Sequence, residues 1–124
     1  YIIILVSVIM IMGLTGCEEK DMSYTQISME EAVAMMTTEE NYIILDVRTT
    51  EEFAEGHIPN AVNIDVYSPD FAEKIAKLDK ERTVAIYCRS GRRSKSAAEQ
   101  AVKQGFKVVE LDGGVLSWKG KLEQ

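Results

Sequence analysis

Cys88 follows the apolar run Val84-Ala85-Ile86-Tyr87 and opens the segment Cys88-Arg89-Ser90-Gly91-Arg92-Arg93-Ser94. A thiol attacks other atoms as its thiolate, so the question is what would favour ionisation here. A tight turn containing Gly91 lets backbone N–H groups converge on one anion, and a helix beginning just after it adds a positive dipole end. Arg89, Arg92, Arg93 and Lys95 bring positive charge to a chain whose net charge is −6. Such surroundings lower a cysteine pKa from about 8.5 to about 3.5–7.5, and a two-unit drop is worth about 2.7 kcal/mol of preference for the thiolate. A cysteine at a strand end also occurs as a small apolar core residue. A core cysteine is not normally followed by so basic a turn, so Cys88 reads as a nucleophile. The same arginines would attract an anionic substrate, although a solvated basic turn would account for one or two of them.

The chain has two cysteines, Cys17 and Cys88, and one histidine, His57. A structural zinc site takes four such ligands, and a disulfide scaffold needs a higher cysteine density, so both are excluded. Haem and iron–sulfur ligand sets are missing too. The acidic balance argues against general nucleic-acid binding. Asp46 and Arg48 stand at the end of an apolar run and are expected to pair within their own neighbourhood, Glu52 included, as scaffold near the site. His57, between Gly56 and Ile58-Pro59, suits a loop hydrogen bond better than general-base work. Gly113 and Gly114 are expected to make a tight turn beside the Cys88 loop, and Trp118 to pack.

Positioning these residues takes a framework, and the apolar periodicity supplies one. Short apolar runs at Tyr24–Ile27, Tyr42–Leu45, Ala61–Ile64, Val84–Tyr87 and Val108–Leu111 predict strands. Between them, Ser28-Met29-Glu30-Glu31 and Thr49-Thr50-Glu51-Glu52 fit capping boxes that start helices. Gly56 suits a left-handed helix terminus. Further helices are predicted over Phe71–Leu78 and Ser94–Gln104, the latter closed by Gly105, with a short one near Leu116–Trp118. Strands alternating with helices imply an α/β domain of about five mostly parallel strands, covered by helices on both faces. Ligands in such sheets gather beyond the carboxyl ends of the strands, where Cys88 falls. With 124 residues, the chain holds one domain, expected over 24–124 and to be a monomer.

The first sixteen residues carry no charge and read differently. Ile2–Met12 is apolar apart from Ser7, shorter than the roughly 20 residues of a spanning helix, and Gly13-Leu14-Thr15-Gly16-Cys17 follows. This matches the hydrophobic region of a signal peptide over 1–16, ending in small residues. No basic n-region is present and the chain opens on Tyr1, so a few residues are expected to precede it. Leu14-Thr15-Gly16-Cys17 resembles the lipobox of bacterial lipoproteins, which implies a lipid on Cys17, a polar tether over 17–23, and a domain outside the cytoplasm at a membrane surface.

The ordered set Leu45-Asp46-Val47-Arg48, Glu52-Phe53, Gly56-His57-Ile58-Pro59-Asn60-Ala61, Cys88-Arg89-Ser90-Gly91-Arg92-Arg93-Ser94 and Leu111-Asp112-Gly113-Gly114 with Trp118 resembles a single rhodanese domain from about Thr25 to Trp118. Many relatives have Gly where this chain has Asn60, and Asn tolerates positive φ. The resemblance implies a three-layer fold and sulfur transfer that needs no metal or organic cofactor. Cys88 would take a sulfane sulfur from thiosulfate or a similar donor and pass it, as a persulfide, to cyanide or a thiol. Arg89, Ser90, Gly91, Arg92, Arg93 and Ser94 would form the substrate loop. Phosphatases and arsenate reductases of this fold place Arg after Cys and five residues. Here that place is Ser94, and the shorter loop is the one associated with sulfurtransferases. A partner-specific persulfide carrier is the alternative reading.

Overall fold

The computed structural model describes residues 24–38 and 41–124. The expected leader, Cys17 and the whole of the tether lie outside the described residues. Five strands form one parallel sheet: β1 (Thr25–Ser28), β2 (Tyr42–Asp46), β3 (Val62–Asn63), β4 (Thr83–Tyr87) and β5 (Val108–Asp112), in the spatial order β1-β5-β4-β2-β3. The helices between them are α1 (Met29–Thr38), α2 (Thr50–Glu55), α3 (Phe71–Ile75) and α4 (Arg92–Lys103), and a 3₁₀ turn spans Gly114–Ser117.

Alternation along β4 explains the layering. Val84, Ile86 and Cys88 point to one face, where Phe71 and Ile75 of α3 and Ala97, Ala98 and Ala101 of α4 close a core. Ala85 and Tyr87 point to the other face and meet Met29 and Ala32 of α1 with Ile58 and Leu111. A central strand buried on both faces reads as continuous apolar sequence, as Val84–Tyr87 does. Fully burying one such aliphatic side chain contributes about 1.5–3 kcal/mol. The three-layer α/β architecture and the count of five strands agree with the sequence expectation.

Both predicted capping boxes are present. The Glu31 N–H donates to Ser28 Oγ (3.2 Å) while the Ser28 N–H donates to Glu31 Oε1 (3.1 Å). Thr49 and Glu52 make the same exchange at 3.2 and 3.0 Å. Several boundaries differ from the sequence reading. β3 keeps two paired residues, because Asn63 Nδ2 turns to donate to the carbonyls of Asp46 (3.0 Å) and Arg48 (2.9 Å). α3 stops at Ile75, where Lys77 and Leu78 tighten into bonds to carbonyls three residues back. The last short helix covers Gly114–Ser117, because Trp118 turns extended.

Gly56 is a correction of another kind. Its φ of 160° and ψ of 135° make it extended rather than left-handed. The position is also close-packed: a Cβ there would lie 3.1 Å from Leu122 Cδ1. Asn60, by contrast, does adopt positive φ, at 69°.

Candidate active site

Cys88 sits one residue past β4, its side chain buried, at the carboxyl edge of the sheet. The chain then turns through Ser90 and Gly91, and α4 begins at Arg92, two residues earlier than the sequence suggested. Gly91 occupies the N-cap with φ 109°, a left-handed value that L side chains rarely adopt. That twist points the Gly91 N–H at Cys88 Sγ, 3.1 Å away. The buried face of α4 carries Ser94, Ala97, Ala98 and Ala101, spaced by three, four and seven residues. Ser94 is thereby delivered beneath the cysteine, with Cys88 Sγ 3.5 Å from Ser94 Oγ.

Two opposed effects act on the thiol. Burial pushes it up; hydrogen bonding to the Ser94 hydroxyl and to the N–H groups of Ser94, Gly91 and Ser90 pulls it down and prevails. Cys88 therefore lies below the ordinary thiol value, which favours the nucleophilic form.

A second turn supports the loop from behind. The Val115 N–H donates to the Cys88 carbonyl (2.9 Å) and the Leu116 N–H to the Arg89 carbonyl (3.1 Å). Gly114 allows this approach, because a Cβ there would lie 2.5 Å from both carbonyl oxygens. Gly113 precedes it in the same tight turn.

The arginines divide into two groups. Arg89 and Arg92 are exposed at the mouth of the loop. Arg93 instead grips Glu52 of α2 through Nη1–Oε1 (2.7 Å) and Nη2–Oε2 (2.9 Å), with the Tyr67 ring 5.9 Å from its guanidinium carbon. That pairing overturns the expectation that Glu52 joins Asp46 and Arg48. Those two pair with each other: Arg48 Nη2 donates to Asp46 Oδ2 (2.7 Å) and Arg48 Nε to both carboxylate oxygens (3.1 and 3.0 Å). Asp46 is fully buried, and Arg48 Nη2 also reaches the Gly56 carbonyl at 2.6 Å. Burial works against the Arg48 charge and the Asp46 carboxylate more than restores it. The pair fixes the end of β2 against Tyr87, whose hydroxyl accepts the Ile58 N–H at 3.0 Å.

His57 lies away from the thiol's hydrogen-bond partners. Its ring stacks on Phe53 with centroids 3.8 Å apart, and Nδ1 is 3.0 Å from the Phe53 carbonyl. Trp118 packs on the α1 face and donates Nε1–H to the Lys121 carbonyl at 3.2 Å. Among the described residues no cluster of three or more His, Cys, Asp or Glu side chains is placed to hold a metal ion.

Two residues near the site escaped the sequence reading. Glu110 lies fully buried in β5 and accepts the Ser94 hydroxyl at 2.5 Å. Its signal was available, as a lone charge inside the apolar run Val108-Val109-Glu110-Leu111. Tyr67 is 72 % exposed beside Arg93, and no local pattern marked it.

Comparison with known proteins decides the family. The rhodanese-like domain family matches residues 28–121. The chain belongs to that family. It is 39% identical over 99 residues to the thiosulfate sulfurtransferase GlpE of Coxiella burnetii (strain RSA 331 / Henzerling II), covering 79% of this chain and 90% of the relative. Against a sulfurtransferase of Allochromatium vinosum the identity is 33% over 94 residues, with 75% and 86% covered. Among solved structures, a rhodanese-like domain protein from Staphylococcus aureus superposes with a TM-score of 0.72 at 30% identity, covering 80% of this chain and 96% of the other. This rhodanese-like chain therefore shares sequence with proteins named for sulfur transfer and architecture with a solved rhodanese-like domain.

Proposed function

We propose that this protein is a sulfurtransferase that carries sulfur as a persulfide on Cys88. The observation that carries the reading is the Gly91 N–H aimed at the Cys88 sulfur, in a loop whose Arg89 and Arg92 are exposed. Relatives named sulfurtransferase support the class, and one named thiosulfate sulfurtransferase supports the donor.

Arg89 and Arg92 draw in thiosulfate, a dianion. The Cys88 thiolate attacks its outer sulfur; a new S–S bond forms as the bond to the sulfite sulfur breaks, and sulfite leaves with that electron pair. Three negative charges enter and three remain, one on the persulfide and two on sulfite. The loop N–H groups that hydrogen-bond the Cys88 sulfur would also stabilise the negative charge of the persulfide, as oxyanion-hole donors do. Cyanide or a thiolate then takes the outer sulfur and returns the Cys88 thiolate, the two-step course of covalent catalysis.

The test is intact mass after mixing the detergent-solubilised full chain with thiosulfate, beside Cys88→Ser. A gain of one sulfur on the wild type alone is expected. No gain on either would shift the reading to a carrier loaded by a partner protein.

The location follows from the leader. Cleavage before Cys17 and lipid attachment to it would hold the domain outside the cytoplasm, since several acyl chains anchor stably where one is marginal. Mass spectrometry of membrane-extracted protein checks this, and an unmodified Cys17 still joined to Gly16 would refute it. The domain is taken to act as a monomer, which sedimentation measures directly.

A further inference from the structure

Beneath Cys88 runs a buried line of three side chains: Cys88 Sγ to Ser94 Oγ (3.5 Å), then Ser94 Oγ to Glu110 Oε2 (2.5 Å). The other carboxylate oxygen accepts Gln26 Nε2–H of β1 at 2.8 Å. Exposure is 1% at Cys88 and zero at Ser94 and Glu110, so the line is closed to water along its length. A carboxylate inside a parallel sheet is costly to bury and is kept only with partners. The loop needs no carboxylate to hold its shape, since backbone bonds to Val115 and Leu116 already do so.

The serine is the informative member. A hydroxyl has one proton and two lone pairs, and an ionised carboxylate only accepts. With Glu110 ionised, the Ser94 proton goes to Oε2 and Ser94 presents a lone pair that receives the S–H; the Ser94 O–H exerts its downward pull on the thiol only in the arrangement in which it has turned to the sulfur.

The geometry points to Glu110 as a positioning residue that stores the Cys88 proton, reached through the Ser94 hydroxyl. The thiol proton passes to Ser94 Oγ while the Ser94 proton passes to Glu110 Oε2. Thiol and carboxylate become thiolate and carboxylic acid, with no change in net charge. The Ser94 O–H then points at the sulfur and stabilises the thiolate just formed. When an acceptor later removes the outer sulfur, Cys88 leaves as a thiolate and the stored proton returns by the same route. The use of this store in turnover rests on the sulfurtransferase reading; the shared proton itself is a property of the resting site.

Other charges face this line. Lys95 of α4 holds Nζ 3.8 Å from Glu110 Oε1 and 3.9 Å from Asp112 on β5. Tyr24, just before β1, feels Glu110 and, more weakly, Glu99, and Arg93 feels the Cys88 charge. Among the described residues none of these makes a hydrogen bond to Ser94 Oγ, which there links Cys88 and Glu110.

The experiment follows the thiolate by its ultraviolet absorbance and the Glu110 carboxyl by carbon NMR, on the full chain without donor. The Glu110 signal is assigned as the one lost in Glu110→Gln. In the wild type the carboxyl signal should move in step with thiolate formation, and Ser94→Ala should abolish the shared step. In Glu110→Gln, no carboxylate opposes the thiolate, and alkylation by iodoacetamide below the midpoint should rise about tenfold, as for a thiol that ionises about one pH lower. A carboxyl signal that stays flat while the wild-type thiolate forms overturns the proposal, and needs no variant to fold. So does a shared step that survives in Ser94→Ala, which would mean coupling through space. Thiosulfate loading, read by mass in parallel, separates the two ideas. Absent loading with an intact shared step supports the store and defeats the donor; loading with a silent carboxyl defeats the store alone.

Discussion

Arg93 and Glu52 face each other as a two-pronged fork, Nη1 donating to Oε1 at 2.7 Å and Nη2 to Oε2 at 2.9 Å. The bond ties the first turn of α4 to the first turn of α2, so an arginine that the family resemblance assigned to the substrate loop is held by the frame. Two parallel charge-assisted hydrogen bonds are stronger and more directional than an ordinary surface ion pair. Arg93→Ala is expected to lower stability by about 1–2 kcal/mol, as two such bonds at a part-exposed site would, while leaving donor KM within twofold. Urea melts and steady-state kinetics on one preparation check both halves.

The same pair sets an acid limit. Hydrogen bonding from Arg93 holds the Glu52 carboxyl at about 2, below its ordinary 4.5. The unfolded chain therefore binds this proton more readily than the folded one, and stability falls as pH drops from about 4.5 towards 2. Above 4.5 the contribution is complete. Glu52→Gln should flatten the stability profile across this interval, and a profile identical to wild type would remove Glu52 as its cause.

Arg89 and Arg92 remain free to meet the donor. Replacing either with Ala should raise KM for thiosulfate several-fold with kcat nearly unchanged, because solvent-facing charges act mainly on capture. Raising ionic strength should weaken the wild type more than the double variant, since exposed charges are screened within about 10 Å at 0.1 M salt. Initial rates at two salt concentrations decide the matter.

Gly91→Ala tests the backbone donor. At φ 109° an alanine is strained by about 1–2 kcal/mol, and relief of that strain would swing the N–H away from the sulfur. Iodoacetamide alkylation should then need a higher pH, and persulfide formation should slow at least tenfold.

Asp46→Asn leaves a buried guanidinium without its counter-charge. Breaking such a pair typically costs about 3–5 kcal/mol. Thermal denaturation should show the loss, whereas Arg48→Met with Asp46→Leu should recover part of it.

Legibility in the sequence depended on what kind of contact was needed. β4 and α4 are local: an unbroken apolar run and a three-four spacing of small residues mark them without reference to the rest of the chain. Cys88 was legible for the same reason, since the residues that act on its thiol, Ser90, Gly91 and Ser94, lie within six positions. The Arg93–Glu52 bond joins residues 41 apart, and Ser94–Glu110 joins residues 16 apart on different elements. Neither spacing has a local signature. Gly56 misled because glycine serves both a left-handed terminus and a crowded extended site, and Leu122 crowds it from 66 residues away.

The outer strand β1 hydrogen-bonds to β5, and Gln26 meets Glu110 across 84 positions. An emerging polypeptide cannot complete its sheet until almost all of it has been released, because the partner of its first strand is its last. Long-range pairing of this kind delays folding. The cysteine pocket inherits that order: Glu110, buried beneath Ser94, reaches its place only when the last strand docks, so the nucleophile is among the last features of the fold to be assembled.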